Sequence, residues 1–175
     1  MNLKNLNKEE IIDLLKKKEI KVKDFVDNGI CPTCFDKENN GIIYGSKEYL
    51  MLYEDDDIEC FLITNPRCSG HMVISSKTHY KDMLEIPDEL CQKVFVFAKK
   101  MMNIIKDVYH SESVYLCTMC DGPMNHFHIQ LIPRYKEEER GSRNFVKPRK
   151  EYVNDMEKVT KIRNILCKSD KKPEN

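Results

Sequence analysis

One eight-residue stretch constrains the fold of this chain more than any other, because its polar and apolar residues alternate with a period of two. The stretch runs from His126 to Pro133 and reads HFHIQLIP. A period of two is typical of a β-strand buried on one face. The apolar residues are Phe127, Ile129 and Leu131, and the polar ones are His126, His128 and Gln130. Pro133 is predicted to end the strand, because proline cannot donate a hydrogen bond to a neighbouring strand.

The polar face of this strand carries groups that can react as well as bind. Side chains on one face are spaced about 6.6 Å apart, so the two histidines and the glutamine are neighbours. Histidine titrates near neutrality, so a neutral imidazole is available on this face at pH 7 and the face could form a reaction site. Gln130 can donate a hydrogen bond but cannot act as an acid. The alternative interpretation is that His128 is a hydrogen-bonded structural residue.

Composition restricts the class of protein. At 175 residues the chain predicts one domain with one main core. Lys and Arg together equal Asp and Glu at 29 each, so bulk charge indicates no nucleic-acid or membrane partner. The apolar runs are too short to span a bilayer, and the first residues lack the apolar region of a signal peptide. A cytoplasmic protein is therefore expected, in which the eight cysteines are reduced thiols or metal ligands.

The rest of the pattern predicts an α+β fold, with an antiparallel sheet of about five strands and one long packed helix. That helix is predicted from Pro87 to Tyr109, and Pro87 suits its first turn. Strands are predicted at 41–44, 48–53, 58–63, 71–75 and 114–119, besides the stretch described above. Terminal helices are predicted at 8–18, capped by Asn7, and at 152–167. Disorder is predicted from Lys168 onward.

Three blocks of sequence together resemble the histidine-triad (HIT) superfamily. They are Cys31-x-x-Cys34, the segment NPRCSGHMVISSKTH at 65–79, and His126-x-His128-x-Gln130-x-x-Pro133-Arg134. The resemblance covers residues 31–134, which leaves a helical extension at 1–30 and a charged, partly helical extension at 135–175. The third triad position is Gln130 instead of histidine. That variant resembles the galactose-1-phosphate uridylyltransferase and dinucleoside-polyphosphate phosphorylase side of the superfamily.

The resemblance implies roles for individual residues. His128 would attack the α-phosphorus of a nucleotide and form a covalent nucleotidyl-histidine, and Gln130 would donate to a phosphate oxygen. Asn125, His71 and Arg134 are the candidates for substrate binding. His71 could equally support the sheet, and Arg134 could instead pair with a carboxylate.

The resemblance also implies a structural zinc ion held by Cys31, Cys34, His79 and His126. Two thiolates and two imidazoles suit tetrahedral zinc and leave no open position. A four-cysteine site with Cys117 and Cys120, or no metal, are the alternatives. The first is disfavoured because side chains at a strand end tend to point to opposite faces.

One residue departs from the pattern of the superfamily, at the position where many relatives bind the ribose. Many relatives carry Asp or Asn three residues before Pro66, where this chain has Ile63. Ribose recognition would then need another source, and the basic segment 140–149 is one candidate, with a solvated loop as its alternative.

The expected function is therefore that of a nucleotide phosphoanhydride hydrolase or nucleotidyltransferase, with dinucleoside polyphosphates or nucleotide sugars as substrates. The alternatives are a nucleotide-binding module with little turnover and a zinc-stabilised interaction protein. A homodimer is expected from the resemblance alone.

Overall fold

The computed structural model describes residues 1–45, 50–120, 122–141, 148 and 153–170. The start of the strand predicted at 48–53 therefore lies outside the described residues. So does most of the basic segment 140–149, of which 140, 141 and 148 are described.

The architecture is an antiparallel sheet of five strands. They are β1 (Met51–Glu54), β2 (Ile58–Leu62), β3 (Met72–Ser76), β4 (Ser113–Cys117) and β5 (His128–Arg134). Their order in the sheet is β1-β2-β3-β5-β4, and every neighbouring pair is antiparallel. Since β5 lies between β3 and β4, the strand that carries the polar face is an inner strand. The α+β fold predicted from sequence is confirmed.

In the described part of the chain, five helices accompany the sheet, after a short 3-10 helix at Leu3–Asn5. They are α1 (Lys8–Lys16), α2 (Val22–Asp27), α3 (Pro32–Glu38), α4 (Asp88–Tyr109) and α5 (Met156–Asp170). The long helix is as predicted, with Pro87 as its N-cap. Asn7 caps α1 through a capping box with Glu10. Asp155 accepts hydrogen bonds from two amides of the first turn of α5.

Two separate groups of apolar side chains stabilise the fold. The main core lies between the sheet and helices α4 and α5, and it contains the predicted inward residues Phe127, Ile129 and Leu131. A smaller cluster holds the N-terminal helices together. It consists of Leu3, Ile11, Ile20 and Phe25, against which Phe35 and Ile43 pack. The division of the chain at residues 30 and 134 stays a prediction.

Four predictions about local structure are wrong. Residues 41–44 form a turn instead of a strand, because Asn40 and Gly41 have positive φ and the Asp36 carboxylate accepts the amides of the turn. The motif strand begins at His128. It also continues through Pro133, which pairs with β4 beyond the end of β3, where its missing N–H costs no hydrogen bond. Helix α5 continues past Lys168 to Asp170.

Within the described residues, no helix combines the length and the apolarity that crossing a bilayer requires.

Candidate functional site

The polar face of β5 opens onto a cavity of about 480 Å³. That volume is in the range of small-molecule sites, about 300–1,000 Å³. His126 and His128 lie on one side of the cavity. The remaining lining residues are Thr33, Tyr44, Phe61, Leu62, Ile63, Thr64, Asn65, Val73 and Ser75. The sheet side of the cavity is therefore largely apolar, and the histidines supply its reactive groups.

The tautomer of His128 is fixed by the backbone. Its Nδ1 lies 2.9 Å from the carbonyl oxygen of His126, and a carbonyl can only accept. Nδ1 therefore carries the proton, and Nε2 carries a lone pair. This is the state that a nucleophilic imidazole requires.

Gln130 is held in one orientation by a buried histidine. The backbone N–H of Arg67 donates to His71 Nδ1 at 3.1 Å, so the proton of His71 is on Nε2. That nitrogen donates to Gln130 Oε1 at 3.0 Å. The Gln130 amide nitrogen is left 3.5 Å from His128 Nε2. At this length the amide bonds only weakly to the imidazole, so it can turn its donor toward an oxygen that enters the site.

The four residues predicted to bind zinc come together. One ligand atom from each of Cys31, Cys34, His79 and His126 lies within 4.8 Å of all the others. Cys34 Sγ is 3.3 Å from His126 Nδ1 and 3.4 Å from His79 Nδ1, and Cys31 Sγ is 3.8 Å from His126 Nδ1. Zinc bonds of about 2.3 Å to sulfur and about 2.0 Å to nitrogen place tetrahedral ligands about 3.3–3.8 Å apart. The distances and the chemistry of the donors both fit a closed zinc site.

The protonation states in this group also fit a metal. His126 Nε2 donates to the carbonyl oxygen of Ser76 at 2.8 Å, which leaves the lone pair on Nδ1, toward the thiols. Burial lowers the pKa of His126 to about 4, so its imidazole is neutral at pH 7. Burial and then the neighbouring Cys31 raise the pKa of the Cys34 thiol to about 12. The protein alone disfavours a Cys34 thiolate, and a bound dication would stabilise it.

Helix α3 brings the two cysteines to the sheet. Cys31 is its N-cap, Pro32 begins it, and Cys34 lies in its first turn. Lys37, one turn later, donates to the carbonyl oxygen of Ser76 at 2.8 Å and pairs with the nearly buried Glu59 at 3.0 Å. The carbonyl oxygen of Ser76 thus accepts hydrogen bonds from both Lys37 and His126. Among the described residues, the group that fits a metal contains neither Cys117 nor Cys120, so the four-cysteine alternative is wrong.

Two of the predicted substrate-binding residues have local partners. The Asn125 side chain accepts from the amide of Gly122 at 3.1 Å and donates to the Gly122 carbonyl at 2.7 Å, which closes the turn before β5. Arg134 is nearly buried and pairs with Glu112 at 2.7 Å. Of the two interpretations of Arg134, the geometry favours pairing with a carboxylate. His71 is fully buried and contacts Gln130, not the cavity.

Sequence reasoning missed several residues of the site. Thr33 and Tyr44 line the cavity from the N-terminal side, and Ser75 lines it from β3. The position of Thr33 inside the Cys-x-x-Cys pair was a signal that could have pointed to it. Tyr44 carried no such signal, because it lies in the turn that was mistaken for a strand.

The HIT domain family matches residues 45–137, which is more than half of the chain. The chain belongs to the HIT family. The match includes β1 to β5, helix α4, and both His79 and His128. It does not include Thr33, Tyr44 or the two cysteines of α3.

Relatives in the HIT family are similar over about half of the chain. An uncharacterized HIT-like protein of Methanocaldococcus jannaschii is 34% identical over 101 residues, which are 54% of this chain and 76% of that protein. The adenylylsulfatase HINT3 of Arabidopsis thaliana is 34% identical over 97 residues, 53% of this chain and 49% of that protein. A zinc-bound histidine triad protein from Mycobacterium smegmatis has the same fold, with a TM-score of 0.61 at 17% identity, covering 80% of this chain and 95% of that one.

Proposed function

We propose that this HIT protein is an enzyme that transfers or hydrolyses a nucleotidyl group through a covalent intermediate on His128. The observation that carries the proposal is the state of that side chain. Its Nδ1–H is held by the His126 carbonyl, which leaves a lone pair on Nε2, and the side chain lines a cavity of about 480 Å³. Substrates of the phosphoanhydride type, such as dinucleoside polyphosphates or nucleotide sugars, are the class proposed.

The first chemical step follows from this geometry. The Nε2 lone pair of His128 forms a bond to the α-phosphorus, and the bond from phosphorus to the leaving oxygen breaks with its electron pair. The leaving group departs as a phosphate or sugar phosphate anion, and the imidazole becomes positively charged. That charge is stabilised because Nδ1–H remains bonded to the carbonyl of His126.

The second step reverses the first with a new acceptor. An oxygen of water or inorganic phosphate bonds to phosphorus, and the bond between nitrogen and phosphorus breaks and returns the lone pair to Nε2. With water as acceptor, the proton leaves to solvent or to the product. Gln130 contributes to both steps, since its amide N–H can donate to a non-bridging oxygen about one hydrogen-bond length from Nε2.

A relative named as an adenylylsulfatase supports this class of reaction. A leaving group that departs as a stable anion needs no acid in the site. Gln130 meets the same condition, because an amide has no proton to give at ordinary pH.

We further propose that Cys31, Cys34, His79 and His126 bind a structural zinc ion. The closed four-ligand geometry supports this, and a zinc-bound relative shares the fold. When bound, the ion would hold α3 against β3 and β5. A cytoplasmic location and a homodimer are part of the same proposal, and the position of β4 at an edge of the sheet is compatible with pairing.

The experiment is intact-mass measurement at neutral pH after mixing the full chain with dinucleoside polyphosphates and nucleotide sugars. The expected result is a nucleotidyl adduct that is absent from His128→Ala and is lost when water, phosphate or a hexose phosphate accepts the group. The identity of the effective acceptor distinguishes a hydrolase from a transferase.

A nucleotide-binding module with little turnover is the second candidate. The observation in its favour is Ile63, an apolar residue that lines the cavity where many relatives carry a residue that binds ribose. Tight binding of a nucleotide without adduct or product would support this candidate and overturn the first.

A further inference from the structure

One wall of the cavity comes from residues that the HIT family match does not include. Thr33 and Tyr44 line the same cavity as His128, but the match begins at residue 45. Both residues belong to the segment that begins with the cysteines of α3. The sheet side of the cavity contributes apolar residues that include Phe61, Ile63 and Val73.

The backbone of Tyr44 is fixed although its side chain is 40% exposed. The Asp36 carboxylate, itself 3% exposed, accepts the amide of Ile43 at 2.7 Å and the amide of Tyr44 at 3.0 Å. The Gly41 amide also donates to the Asp36 carbonyl at 2.8 Å. Ile43 packs into the small N-terminal cluster. A buried carboxylate and an apolar anchor therefore hold this turn in place, while the aromatic ring is left facing the cavity.

Thr33 adds a second support. It lies in the first turn of α3, between Cys31 and Cys34, and its side chain hydrogen-bonds to the phenol of Tyr44. The ring of Tyr44 is thereby held at its backbone by Asp36 and at its tip by Thr33. Such a ring offers a flat face at little cost in side-chain entropy when a ligand binds.

We propose that Tyr44, oriented by Thr33, is the residue that recognises the nucleobase, and that it does so by stacking. This inference rests on the proposed function, which places the phosphate of a nucleotide at His128 and so leaves the base for the remainder of the cavity. The apolar residues Phe61, Ile63 and Val73 line the same cavity and give a flat aromatic ring apolar surroundings. The side chain of Ile63 offers no hydrogen bond to the ribose, so this position adds no polar contact to the affinity that stacking supplies.

Stacking also predicts the specificity. Every base has a π-face, so recognition by an aromatic ring tolerates different bases. The site should therefore discriminate strongly between a nucleotide and a sugar phosphate, and weakly between one nucleotide and another.

The test is calorimetric titration of the full chain with AMP and with ribose 5-phosphate, which differ only in the base. The unmodified chain should bind AMP more tightly. Tyr44→Ala should weaken the affinity for AMP by about 5- to 150-fold and leave the affinity for ribose 5-phosphate unchanged. Tyr44→Phe should retain most of the affinity for AMP. Phe95→Ala is the matched control, because Phe95 on α4 is also 40% exposed but does not line the cavity, and it should change neither affinity.

Three outcomes would overturn the inference. In the first, Tyr44→Ala loses affinity equally for AMP and for ribose 5-phosphate, which indicates a collapsed turn. In the second, Tyr44→Ala keeps its affinity for both ligands, and in the third, the unmodified chain shows no measurable binding of AMP. The failure of the proposed function is a different result, namely the absence of the His128 adduct and of product. If the His128 adduct forms and Tyr44→Ala binds AMP with unchanged affinity, only the stacking inference is overturned.

Discussion

His126 and His128, two residues apart, each donate one ring N–H to a backbone carbonyl, but they use opposite nitrogens. His126 gives its Nε2 proton to Ser76 and turns Nδ1 toward Cys31 and Cys34. His128 gives its Nδ1 proton to the carbonyl of His126 and keeps a lone pair on Nε2, and its side chain lines the cavity. The nitrogen that a carbonyl engages thus leaves a different lone pair available in each histidine, which is what the two proposed roles, metal binding and attack on phosphorus, require.

The surroundings of the two histidines differ as well. Around His126, two thiols from the start of α3 and a second imidazole converge, with lone pairs that a cation would accept and thiol protons that it would displace. Around His128, the protein supplies the order itself, since backbone groups fix His71 and His128 and His71 fixes Gln130. The comparison teaches that the proposed zinc ion would stabilise the first region, whereas hydrogen bonds within the chain already order the second.

The largest effect is expected from His128→Ala, which removes the nitrogen proposed to attack phosphorus. Turnover of a dinucleoside polyphosphate should fall by about 10⁴-fold or more, the order found when a nucleophile is removed. The zinc content, measured by mass spectrometry of the metal, should be unchanged. Loss of zinc from this variant would contradict the proposal that His126, and not His128, belongs to the metal site.

Cys34→Ser should act on the other region. It removes a thiolate ligand, so we expect loss of bound zinc and a Tm lower by roughly 5–10 °C, which corresponds to a few kcal/mol at about 2–4 °C per kcal/mol. Cys120→Ser is the matched control, since Cys120 is also half-buried but lies outside the ligand group. Equal melting temperatures and zinc contents for the two variants would contradict the metal proposal.

The hydrogen bond from His71 to Gln130 predicts that substitutions of these two residues have coupled effects on kcat. Gln130→Ala and His71→Asn should each lower kcat by about 10- to 100-fold, the range for residues that orient a reacting group. Because His71 acts through Gln130, the double variant should be no slower than Gln130→Ala alone. Additive losses would instead mean that His71 supports only the fold.

The missing acid at position 130 predicts a preference among leaving groups. Phosphate anions depart without a proton, whereas amines require one, so phosphoanhydrides should react about 10²-fold faster than adenosine phosphoramidates. Gln130→His should narrow that ratio. Measured kcat/KM values for both substrates provide the test, and faster cleavage of the phosphoramidate by the unmodified chain would refute the prediction.

The smallest effect concerns pH. The pKa of His126 is about 4 in the fold and ordinarily 6.5, so the unfolded chain takes up a proton first as the pH falls. In the presence of a chelator, the free energy of unfolding should decrease between pH 6.5 and 4, by about 1 kcal/mol per pH unit. Denaturant titrations of the chain and of His126→Asn test this, and the same slope in both would assign the effect to other groups.

The sequence predicted the parts of the fold that depend on local pattern. The period of two placed Phe127, Ile129 and Leu131 in the core, and the helical period located α4. The periodicity gave a wrong prediction at 41–44, where Asp36 accepts the amide hydrogen bonds that a strand would give to a neighbour. It was also wrong at Pro133, because a proline fits there only since β3 does not extend far enough to pair with it. Both failures arise from contacts with other segments of the chain, which the periodicity of a short stretch does not reveal.

The candidate site divides in the same way. The resemblance to the HIT superfamily was enough to predict which two cysteines and two histidines would lie together, and the structure brings them together. Residue types and spacing could not reveal which nitrogen of each histidine carries the proton, because the deciding partners are backbone atoms of Arg67, Ser76 and His126. Tyr44 was missed for a related reason, since a turn has no period that marks its side chains as facing a cavity.

The two edges of the sheet are not equivalent, and this limits how copies of the chain can add to one another. At the β1 edge, helix α5 packs against the strand, and Arg163 Nε donates to the carbonyl of Met51 at 2.8 Å. The opposite edge is β4. A sheet that can extend in one direction only can be paired once, so association through β4 consumes the available edge of both copies. Growth by this route stops at two chains and cannot propagate into a ladder.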